Sequence, residues 1–273
     1  MKYLILGDLH CRNVWKDIVN KESYDKVIFL GDYTCPKEVK ITSEETCIFL
    51  KEVLEFKESN PNNVILLRGN HDCSELFYWG RCHPQDNLKV YQYWQTVKDR
   101  FIKDSQWIYQ IPNTNIVCSH AGISIKFLEE VERYLANNMM HYNPFKNIPD
   151  RYKWILDNIN NIEPCEIFAF TPCKMLDYNG ESATQPCTWI RPYTLLQYGY
   201  KDIIHIIGHT PTKYIYNIKN KCIEDREKYN IKDNKEVIEN YCDIWCCDNL
   251  SNNEYLIIDN NKFIVKTYDK KDS

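Results

Sequence analysis

The chain has 273 residues, of which 44% are hydrophobic and 26% are charged, a balance typical of a globular protein with a sizeable core. Its formal net charge of −4 argues against long nucleic acid or an anionic membrane as a partner held by bulk electrostatic attraction. The length suits one large α/β domain or two small ones, and because there is no internal repeat and no long linker, we expect a single domain over residues 1–273.

Short apolar runs bounded by turn residues predict five buried strands. They lie at residues 3–6, 27–30, 64–67, 116–117 and 203–207. Continuous runs of this kind are typical of strands that are covered on both faces. His205 lies inside the last of them, and we expect it to be a core histidine.

Helical patterns lie between these strands. A capping-box sequence at residues 42–45 predicts the start of one helix. A second helix is expected over about residues 88–103, and a third after Gly122. The three expected apolar faces are Ile48, Leu50, Val53 and Leu54; Val90, Trp94, Val97 and Phe101; and Ile125, Leu128, Val131 and Leu135. Strands that alternate with helices indicate βαβ units and a largely parallel sheet in the first half.

The C-terminal part has a different pattern. Residues 255–258 and 263–267 flank a short turn and predict an antiparallel hairpin. We expect residues 244–247 to pair beside this hairpin. Residues 141–192 are rich in proline, asparagine and aromatic residues and give few signals of regular structure.

The 13 cysteines lack the spacing of a disulfide framework. The apolar run at residues 3–6 is far shorter than the apolar region of a secretory signal, and no run approaches the ~20 residues that span a bilayer. We therefore expect a cytoplasmic protein with mostly free thiols and no membrane partner.

A small polar cluster follows each of the five predicted strands. The clusters read GDLH (7–10), GDY (31–33), RGNHD (68–72), SHAG (119–122) and GHTP (208–211). Because the carboxyl ends of strands in open α/β sheets converge on a ligand crevice, we expect these side chains to meet in space. Asp, His and Asn together are metal ligands that suit manganese, iron or zinc better than calcium.

The ordered set D-x-H, GD, GNH-[DE], H-[AG]-G and GH resembles the signature of the calcineurin-like metallophosphoesterase superfamily. The forms LRGNHD, SHAG, TWIR (188–191) and GHTP are most similar to its phosphoprotein-phosphatase branch, which includes Ser/Thr phosphatases, bacterial diadenosine tetraphosphatases and phage phosphatases. The resemblance spans about residues 4–211, and Asp248 lies on a stretch similar to the family's last core strand. It implies an α/β fold of two mixed β-sheets packed as a sandwich and flanked by helices.

The resemblance also implies a role for each motif residue. Two divalent metal ions are expected, manganese first and iron or zinc as alternatives, with a hydroxide that bridges them attacking phosphorus in line. Asp32 and His71 would be catalytic, Asp32 by bridging both metals and His71 as the general acid. The expected metal ligands are Asp8, His10, Asp32, Asn70, His120 and His209, and the expected substrate-binding residues are Arg68, Arg191 and Asn70.

The chain departs from the family pattern after Asp32. The phosphoprotein-phosphatase branch usually has V-D-R-G two residues later, and this chain has Thr34, Cys35, Pro36 and Lys37 there. The missing Asp normally orients the general-acid histidine, and the missing Arg normally contacts phosphate. Asp72 and Asp86 are candidates for the first role, and Lys37 could supply a point charge for the second.

The resemblance predicts a hydrolase of phosphomonoesters that acts on a phosphoprotein or a small phosphorylated metabolite. Alternatives are a dinucleoside polyphosphate hydrolase of the diadenosine tetraphosphate type and a phosphodiesterase. A non-catalytic metal-binding scaffold is a further alternative from a different class of function. The presence of all six ligands and of His71 argues against the scaffold.

Overall fold

The computed structural model describes residues 1–37, 41–77, 87–138, 148–163, 180–228 and 241–269. The chain forms two compact units. The first comprises Met1–Gln106, Gly208–Ile215 and Cys247–Ser273, and the second comprises Trp107–Ile207 and Tyr216–Cys246. Each unit has its own β-sheet. The single domain expected from the sequence stays a prediction.

The described strands are, in chain order, β1 (Lys2–Leu6), β2 (Lys26–Phe29), β3 (Val64–Leu67), β4 (Ser105–Gln106), β5 (Ile108–Gln110), β6 (Ile116–Ser119), β7 (Ile204–Ile207), β8 (Tyr216–Asn217), β9 (Asp243–Cys246), β10 (Glu254–Asp259) and β11 (Lys262–Thr267). The described α-helices are α1 (Val14–Lys21), α2 (Ser43–Ser59), α3 (Asn70–Phe77), α4 (Asn87–Asp104), α5 (Ile125–Asn138), α6 (Ile148–Asn158), α7 (Pro192–Tyr198) and α8 (Ile218–Lys228). All five strands predicted from apolar runs are present.

The sheet of the first unit has the strand order β11-β10-β1-β2-β3-β4. Strands β1 to β4 are parallel, as the alternation of strands and helices predicts. The expected C-terminal hairpin is confirmed: β10 and β11 pair in antiparallel register, and β10 adds to the sheet beside β1. The parallel strands therefore end at one edge of the sheet, where the polar clusters begin.

The sheet of the second unit has the strand order β5-β6-β7-β9-β8. Strands β6, β7 and β9 are parallel, and β5 and β8 are antiparallel to their neighbours. The expectation that residues 244–247 pair beside the hairpin is wrong, because β9 pairs with β7 and β8 instead. A short apolar run indicates a buried strand but carries no information about its neighbour. The fold is thus α/β with two mixed sheets and flanking helices.

Helix α2 begins with the predicted capping box. The hydroxyl of Thr42 accepts a hydrogen bond from the Glu45 backbone N–H at 3.2 Å, and the Glu45 carboxylate accepts one from the Thr42 N–H at 2.7 Å. Leu50, Val53 and Leu54 are buried as expected, but Ile48 is 49% exposed. The buried face is continued by Phe49 and not by Ile48, because residues 46, 49, 50, 53 and 54 share one side of the helix.

The other two predicted helices are α4 and α5. In α4, Val97 and Phe101 are buried as expected, whereas the side chains of Val90 and Trp94 lie outside the described residues. In α5, Leu128, Val131 and Leu135 are buried together with Phe127, and Ile125 is half-buried. His205 is fully buried within β7.

Candidate metal centre

The loops after β1 and β2 continue the parallel pairing of those strands. The backbone N–H of His10 donates to the Asp32 carbonyl at 2.7 Å, and that of Cys11 donates to the Tyr33 carbonyl at 3.2 Å. Asp8 and Asp32 are consequently held side by side, with carboxylate oxygens within 4.8 Å of one another. Both carboxylates are buried. The two sequence-predicted aspartates therefore meet at the carboxyl edge of the first unit's sheet.

Backbone N–H groups hold both of these carboxylates. The His209 N–H donates to the two oxygens of Asp8 at 2.9 and 3.1 Å. The His71 N–H donates to Asp32 Oδ1 at 2.9 Å. A side chain on Gly69 would overlap the Asp32 carboxylate, so only glycine permits this close approach. The glycine of GNHD is thus required by the position of Asp32.

His10 is oriented with one ring nitrogen toward these carboxylates. Its Nδ1 lies 2.8 Å from the Cys35 carbonyl and 3.2 Å from the Thr34 carbonyl, and since carbonyl oxygens only accept, Nδ1 carries the proton. The buried Nε2 has its lone pair free to act as a ligand, 3.8 Å from Asp8 Oδ2 and 3.6 Å from Asp32 Oδ2. Burial lowers the pKa of His10 to about 4, which keeps the imidazole neutral at pH 7.

Asn70 and His209 form a second pair in the first unit. Asn70 is the first residue of α3, and its Oδ1 lies 2.9 Å from Nδ1 of His209. His209 is buried, and Asn70 is half-buried. Two further sequence-predicted residues, which are 139 positions apart, are therefore in direct contact.

Three of the predicted ligands have left-handed backbone conformations. The φ angles are 42° for His10, 52° for Asp32 and 63° for His209. Residues other than glycine adopt this region at a cost of about 1–3 kcal/mol each, and such strain is concentrated at functional sites.

Burial, assisted by repulsion between carboxylates, dominates the electrostatics of this region. Burial, together with the charges of Asp248 and Asp32, raises the pKa of Asp8 well above its ordinary value. Burial and Asp32 also raise the pKa of Asp72 to about 7, and burial is the largest cause that raises the pKa of Asp248 to about 6. Clustered buried carboxylates beside an imidazole lone pair are a donor set that fits divalent cations and that a cation would stabilise.

His71 is half-buried beside this cluster. Its Nε2 lies 3.9 Å from Asp32 Oδ2, and its ring makes an edge contact with His10 at a centroid distance of 5.4 Å. Burial on its own would lower the pKa of His71, but the Asp32 charge and a hydrogen bond with Cys35 outweigh burial and raise the pKa to about 9. The imidazole is therefore positively charged at neutral pH.

The residue after His71 has a structural role that the sequence did not indicate. The Asp72 carboxylate accepts hydrogen bonds from the backbone N–H groups of Asp32 and Tyr33 at 2.8 Å and of Thr34 at 3.3 Å. It also accepts one from the Gly69 N–H at 3.0 Å. Asp72 therefore fixes the loop that carries Asp32. Asp86, the other proposed partner of His71, lies outside the described residues.

Arg68 makes its contacts inside the first unit. Its guanidinium is buried and donates to the hydroxyl of Ser105 at 2.9 Å, the carbonyl of Ser105 at 2.8 Å and the carbonyl of Ile102 at 2.7 Å. These bonds join the end of β3 to the end of α4. This arrangement favours a structural role for Arg68, and its contact with phosphate stays a prediction.

His120 and Arg191 belong to the second unit. His120 is buried and follows β6 directly, at the carboxyl end of that strand. Arg191 is half-buried and precedes the first residue of α7, with its N–H donating to the Gly180 carbonyl at 3.0 Å. His120 therefore lies at the end of a strand, as the cluster SHAG predicts.

A model of the calcineurin-like phosphoesterase family matches residues 1–213. The chain belongs to this family. As a calcineurin-like phosphoesterase it is a metal-dependent hydrolase, and members of the family act on phosphorylated substrates. The family's metal dependence agrees with the donor set at the edge of the first unit's sheet.

Solved structures of two phosphatases are similar to this calcineurin-like phosphoesterase. One is a cold-active protein-tyrosine phosphatase of a psychrophile, Shewanella sp., with 15% identity and a TM-score of 0.52 over 98% of this chain and 78% of that one. The other is a protein serine/threonine phosphatase from Saccharomyces cerevisiae, with 14% identity and a TM-score of 0.50 over 98% of this chain and 80% of that one. At such low identity the likeness shows a shared fold alone.

Among the described helices, none combines the length and the apolar composition that crossing a membrane requires.

Proposed function

We propose that this calcineurin-like phosphoesterase hydrolyses phosphomonoesters with two divalent metal ions, manganese first and iron or zinc as alternatives. The observation that carries the proposal is the buried grouping of the His10 Nε2 lone pair with the carboxylates of Asp8 and Asp32. A neutral imidazole lone pair and two carboxylates do not stabilise one another at these distances. A divalent cation would satisfy all three.

Most of the proposed ligands belong to the first unit, with Asp32 shared by both ions. His120, from the second unit, is proposed on the sequence motif alone. The full proposed set is Asp8, His10, Asp32, Asn70, His120 and His209. When bound, the ions would supply Lewis-acid activation of water and would neutralise charge on the phosphoryl oxygens.

The chain's own residues would orient these ligands and would supply the proton that the leaving oxygen needs. The carbonyls of Thr34 and Cys35 fix the His10 tautomer, as outer partners of ligand histidines commonly do. In the metal-free protein burial lowers the pKa of His71, but Asp32 and Cys35 outweigh burial and raise the pKa to about 9. His71 is the proposed general acid that protonates the leaving oxygen.

Arg191, with Asn70, is the proposed phosphate-binding group, because a guanidinium can contact two phosphoryl oxygens at once. Arg68 is a weaker proposal for this role, since its guanidinium already donates to Ser105 and Ile102. The preference for monoesters, of a phosphoprotein or a small metabolite, rests on the resemblance to the phosphoprotein-phosphatase branch. The cytoplasmic location expected from cysteine spacing also stays a prediction.

The test compares hydrolysis of para-nitrophenyl phosphate with hydrolysis of its bis-ester by manganese-loaded protein. Asp32→Asn serves as the inactive variant, and Asp17→Asn, which changes an exposed aspartate on α1, serves as the matched control. We expect the monoester to be cleaved faster by wild type and by the control, and Asp32→Asn to be inactive. Faster cleavage of the bis-ester would point to a diesterase or a dinucleoside polyphosphate hydrolase.

Metal binding has a separate readout. Titration of metal-free protein with manganese should reach two ions per chain and raise the melting temperature, and Asp32→Asn should lose both effects. Metal binding without turnover of either ester would contradict the catalytic proposal and favour the scaffold.

A further inference from the structure

Strand β11 forms one end of the first unit's six-stranded sheet, and among the described residues no strand of that sheet lies on its outer side. An edge strand presents backbone N–H and C=O groups to any strand that can pair with it, and proteins commonly protect such an edge with a bulge or a proline. β11 is six residues long, its register with β10 is continuous, and its sequence KFIVKT contains no proline. Its geometry is therefore suited to pairing with a further strand.

The hydrogen bonds between β10 and β11 fix which residues of β11 face outward. At the end of the ladder, the Tyr268 N–H donates to the Asn253 carbonyl at 2.9 Å. Hydrogen-bonded and non-hydrogen-bonded pairs alternate along an antiparallel ladder. Because residue 268 is hydrogen-bonded toward β10, residues 263, 265 and 267 direct their backbone N–H and C=O groups away from β10.

The hairpin turn at the other end of the ladder gives the same result. Asn260 and Asn261 have φ values of 48° and 63°, which are typical of a two-residue type I′ turn. A turn of this kind is closed by a hydrogen-bonded pair, which here is Asp259 with Lys262. The backbone of residue 262 therefore faces β10, and that of residue 263 faces outward.

The middle of this edge exposes two adjacent apolar side chains. Ile264 is 42% exposed and Val265 is 39% exposed, and because successive side chains alternate along a strand, they lie on opposite faces of the sheet. Exposed apolar residues at the centre of a regular edge strand favour association with another strand. Pairing at this edge would remove part of both side chains from water.

Two lysines on the face of Ile264 restrict the register in which a second copy of the chain can pair with β11. If a two-fold axis passes through Val265, Lys266 of one copy lies opposite Ile264 of the other, and Val265 lies opposite its own counterpart. An axis at residue 264 places Lys262 opposite Lys266, and an axis at residue 266 places Lys266 opposite itself. Like charges in directly opposite positions are destabilising, so the charges of β11 favour the axis at Val265.

The surroundings of Lys266 agree with this register. Glu22 Oε1 accepts hydrogen bonds from the Lys266 ammonium and from the hydroxyl of Tyr255 on β10, each at 2.8 Å. The ammonium is therefore held on the side of β10, and the aliphatic part of the lysine is left to pack against Ile264 of a second copy. The axis at Val265 also joins all the outward-facing residues, 265 with 265 and 263 with 267.

We propose that this calcineurin-like phosphoesterase forms a homodimer in which two β11 strands pair in antiparallel register about a two-fold axis at Val265. The pairing joins two six-stranded sheets into one continuous sheet. Such an interface is isologous, because the same residues contribute to it from both copies. The proposal concerns assembly and does not depend on the proposed catalytic function.

The first test is sedimentation equilibrium of the wild-type protein and of Val265→Pro between about 1 and 500 µM. We expect wild type to reach the mass of two chains as its concentration rises. Proline removes an N–H that faces away from β10, so it should leave the hairpin intact. It should nevertheless weaken association by about 30-fold, because both backbone hydrogen bonds at the axis are lost.

A pair of charged variants separates loss of the interface from loss of folding. Val265→Lys and Val265→Glu each place like charges opposite one another at the axis, and each should be monomeric by itself. An equimolar mixture of the two should form a heterodimer, because lysine then lies opposite glutamate. Ile48→Lys is the matched control, since Ile48 is 49% exposed on α2, and this variant should associate like wild type.

Three results would overturn the proposal. Wild type that stays monomeric over the whole concentration range would leave the edge of β11 to a strand of another protein. A dimer that persists in both Val265→Pro and Val265→Lys would show that the interface lies elsewhere on the chain. If the Val265→Lys and Val265→Glu proteins do not associate with one another, the two-fold axis does not pass through Val265.

Discussion

The first unit buries several ionisable groups together at the ends of β1 and β2, whereas the second unit buries His205 inside β7. In the first unit, burial and mutual repulsion raise the pKa values of Asp8 and Asp72. In the second, burial lowers the pKa of His205 to about 4. Burial disfavours the charged form in both places. The clustered carboxylates can be stabilised by a cation, and the isolated imidazole is stabilised by remaining neutral.

The two regions also differ in backbone conformation. His10, Asp32 and His209 are in left-handed regions, whereas His205 lies within a regular strand that is paired on both sides. The loops of the first unit thus carry strain and repulsion that oppose folding of the metal-free protein. Replacement of a ligand side chain in the first unit should therefore raise the stability of the metal-free protein. Replacement of a core residue should not raise it.

The largest effect is expected for Asp32→Asn. Hydrolysis should fall by more than about 1000-fold, because this carboxylate is the proposed ligand of both ions. The metal-free variant should nevertheless unfold at a higher urea concentration than metal-free wild type, since one buried charge is removed and the amide oxygen can still accept from the His71 N–H. Urea denaturation in the presence of a chelator checks this. Lower stability of the metal-free variant would show that the Asp32 charge stabilises the folded chain more than its repulsion from Asp8 destabilises it.

His205 should make unfolding depend on pH. Its folded pKa of about 4 lies below the unfolded value of 6.5, so the unfolded chain binds a proton first as the pH falls. The resulting loss of stability begins near pH 6.5 and is complete near pH 4, where it amounts to about 3 kcal/mol. His205→Leu should remove this component. Urea midpoints of both proteins between pH 7.5 and 4.5 measure it as a difference, and parallel profiles would contradict the prediction.

Asp72→Asn should destabilise the loop that carries Asp32. The substitution replaces one carboxylate oxygen, which accepts from backbone N–H groups, with an NH2 group that can only donate. This should lower the free energy of unfolding by about 2 kcal/mol. Measurement at pH 8 is informative because burial, followed by Asp32, raises the Asp72 pKa only to about 7, and the carboxylate is therefore charged. Asp17→Asn is the surface control. Unchanged or higher stability of Asp72→Asn would mean that relief of repulsion from Asp32 outweighs the lost hydrogen bonds.

The smallest effect is expected at Glu22, away from both regions. Its carboxylate accepts hydrogen bonds from the Tyr255 hydroxyl and the Lys266 ammonium, each at 2.8 Å. Burial would raise its pKa, but these bonds lower it, so the stabilisation is present above pH 4.5 and is lost as the pH falls through the folded value. Glu22→Gln should cost about 1 kcal/mol at pH 7.

The matched control for Glu22→Gln is Glu55→Gln, because Glu55 lies 3.7 Å from Lys51 in an exposed pair on α2. This change should shift the free energy of unfolding by less than about 0.5 kcal/mol. Equal effects of the two substitutions would show that the bonds of Glu22 are as weak as an exposed ion pair.

Local sequence patterns predicted several elements correctly, for a definite reason. The capping box at Thr42 involves residues three positions apart, and the apolar faces of α4 and α5 depend on a period of 3.6 residues. Such patterns are set by near neighbours along the chain. Ile48 was misplaced because a run of apolar residues in a helix does not show which of them lies at the edge of the buried face.

The sequence alone determined the positions of five strands, the ligand types that follow them and the family motifs that these ligands form. Each of these features depends on a short segment of contiguous residues. Only the tertiary structure decided that β9 pairs with β7, that Asp72 holds the loop of Asp32, and that the carbonyls of Thr34 and Cys35 orient His10. These contacts join residues that are far apart in the chain. They depend on how strands pack and loops turn, and no local pattern of residue types specifies that geometry.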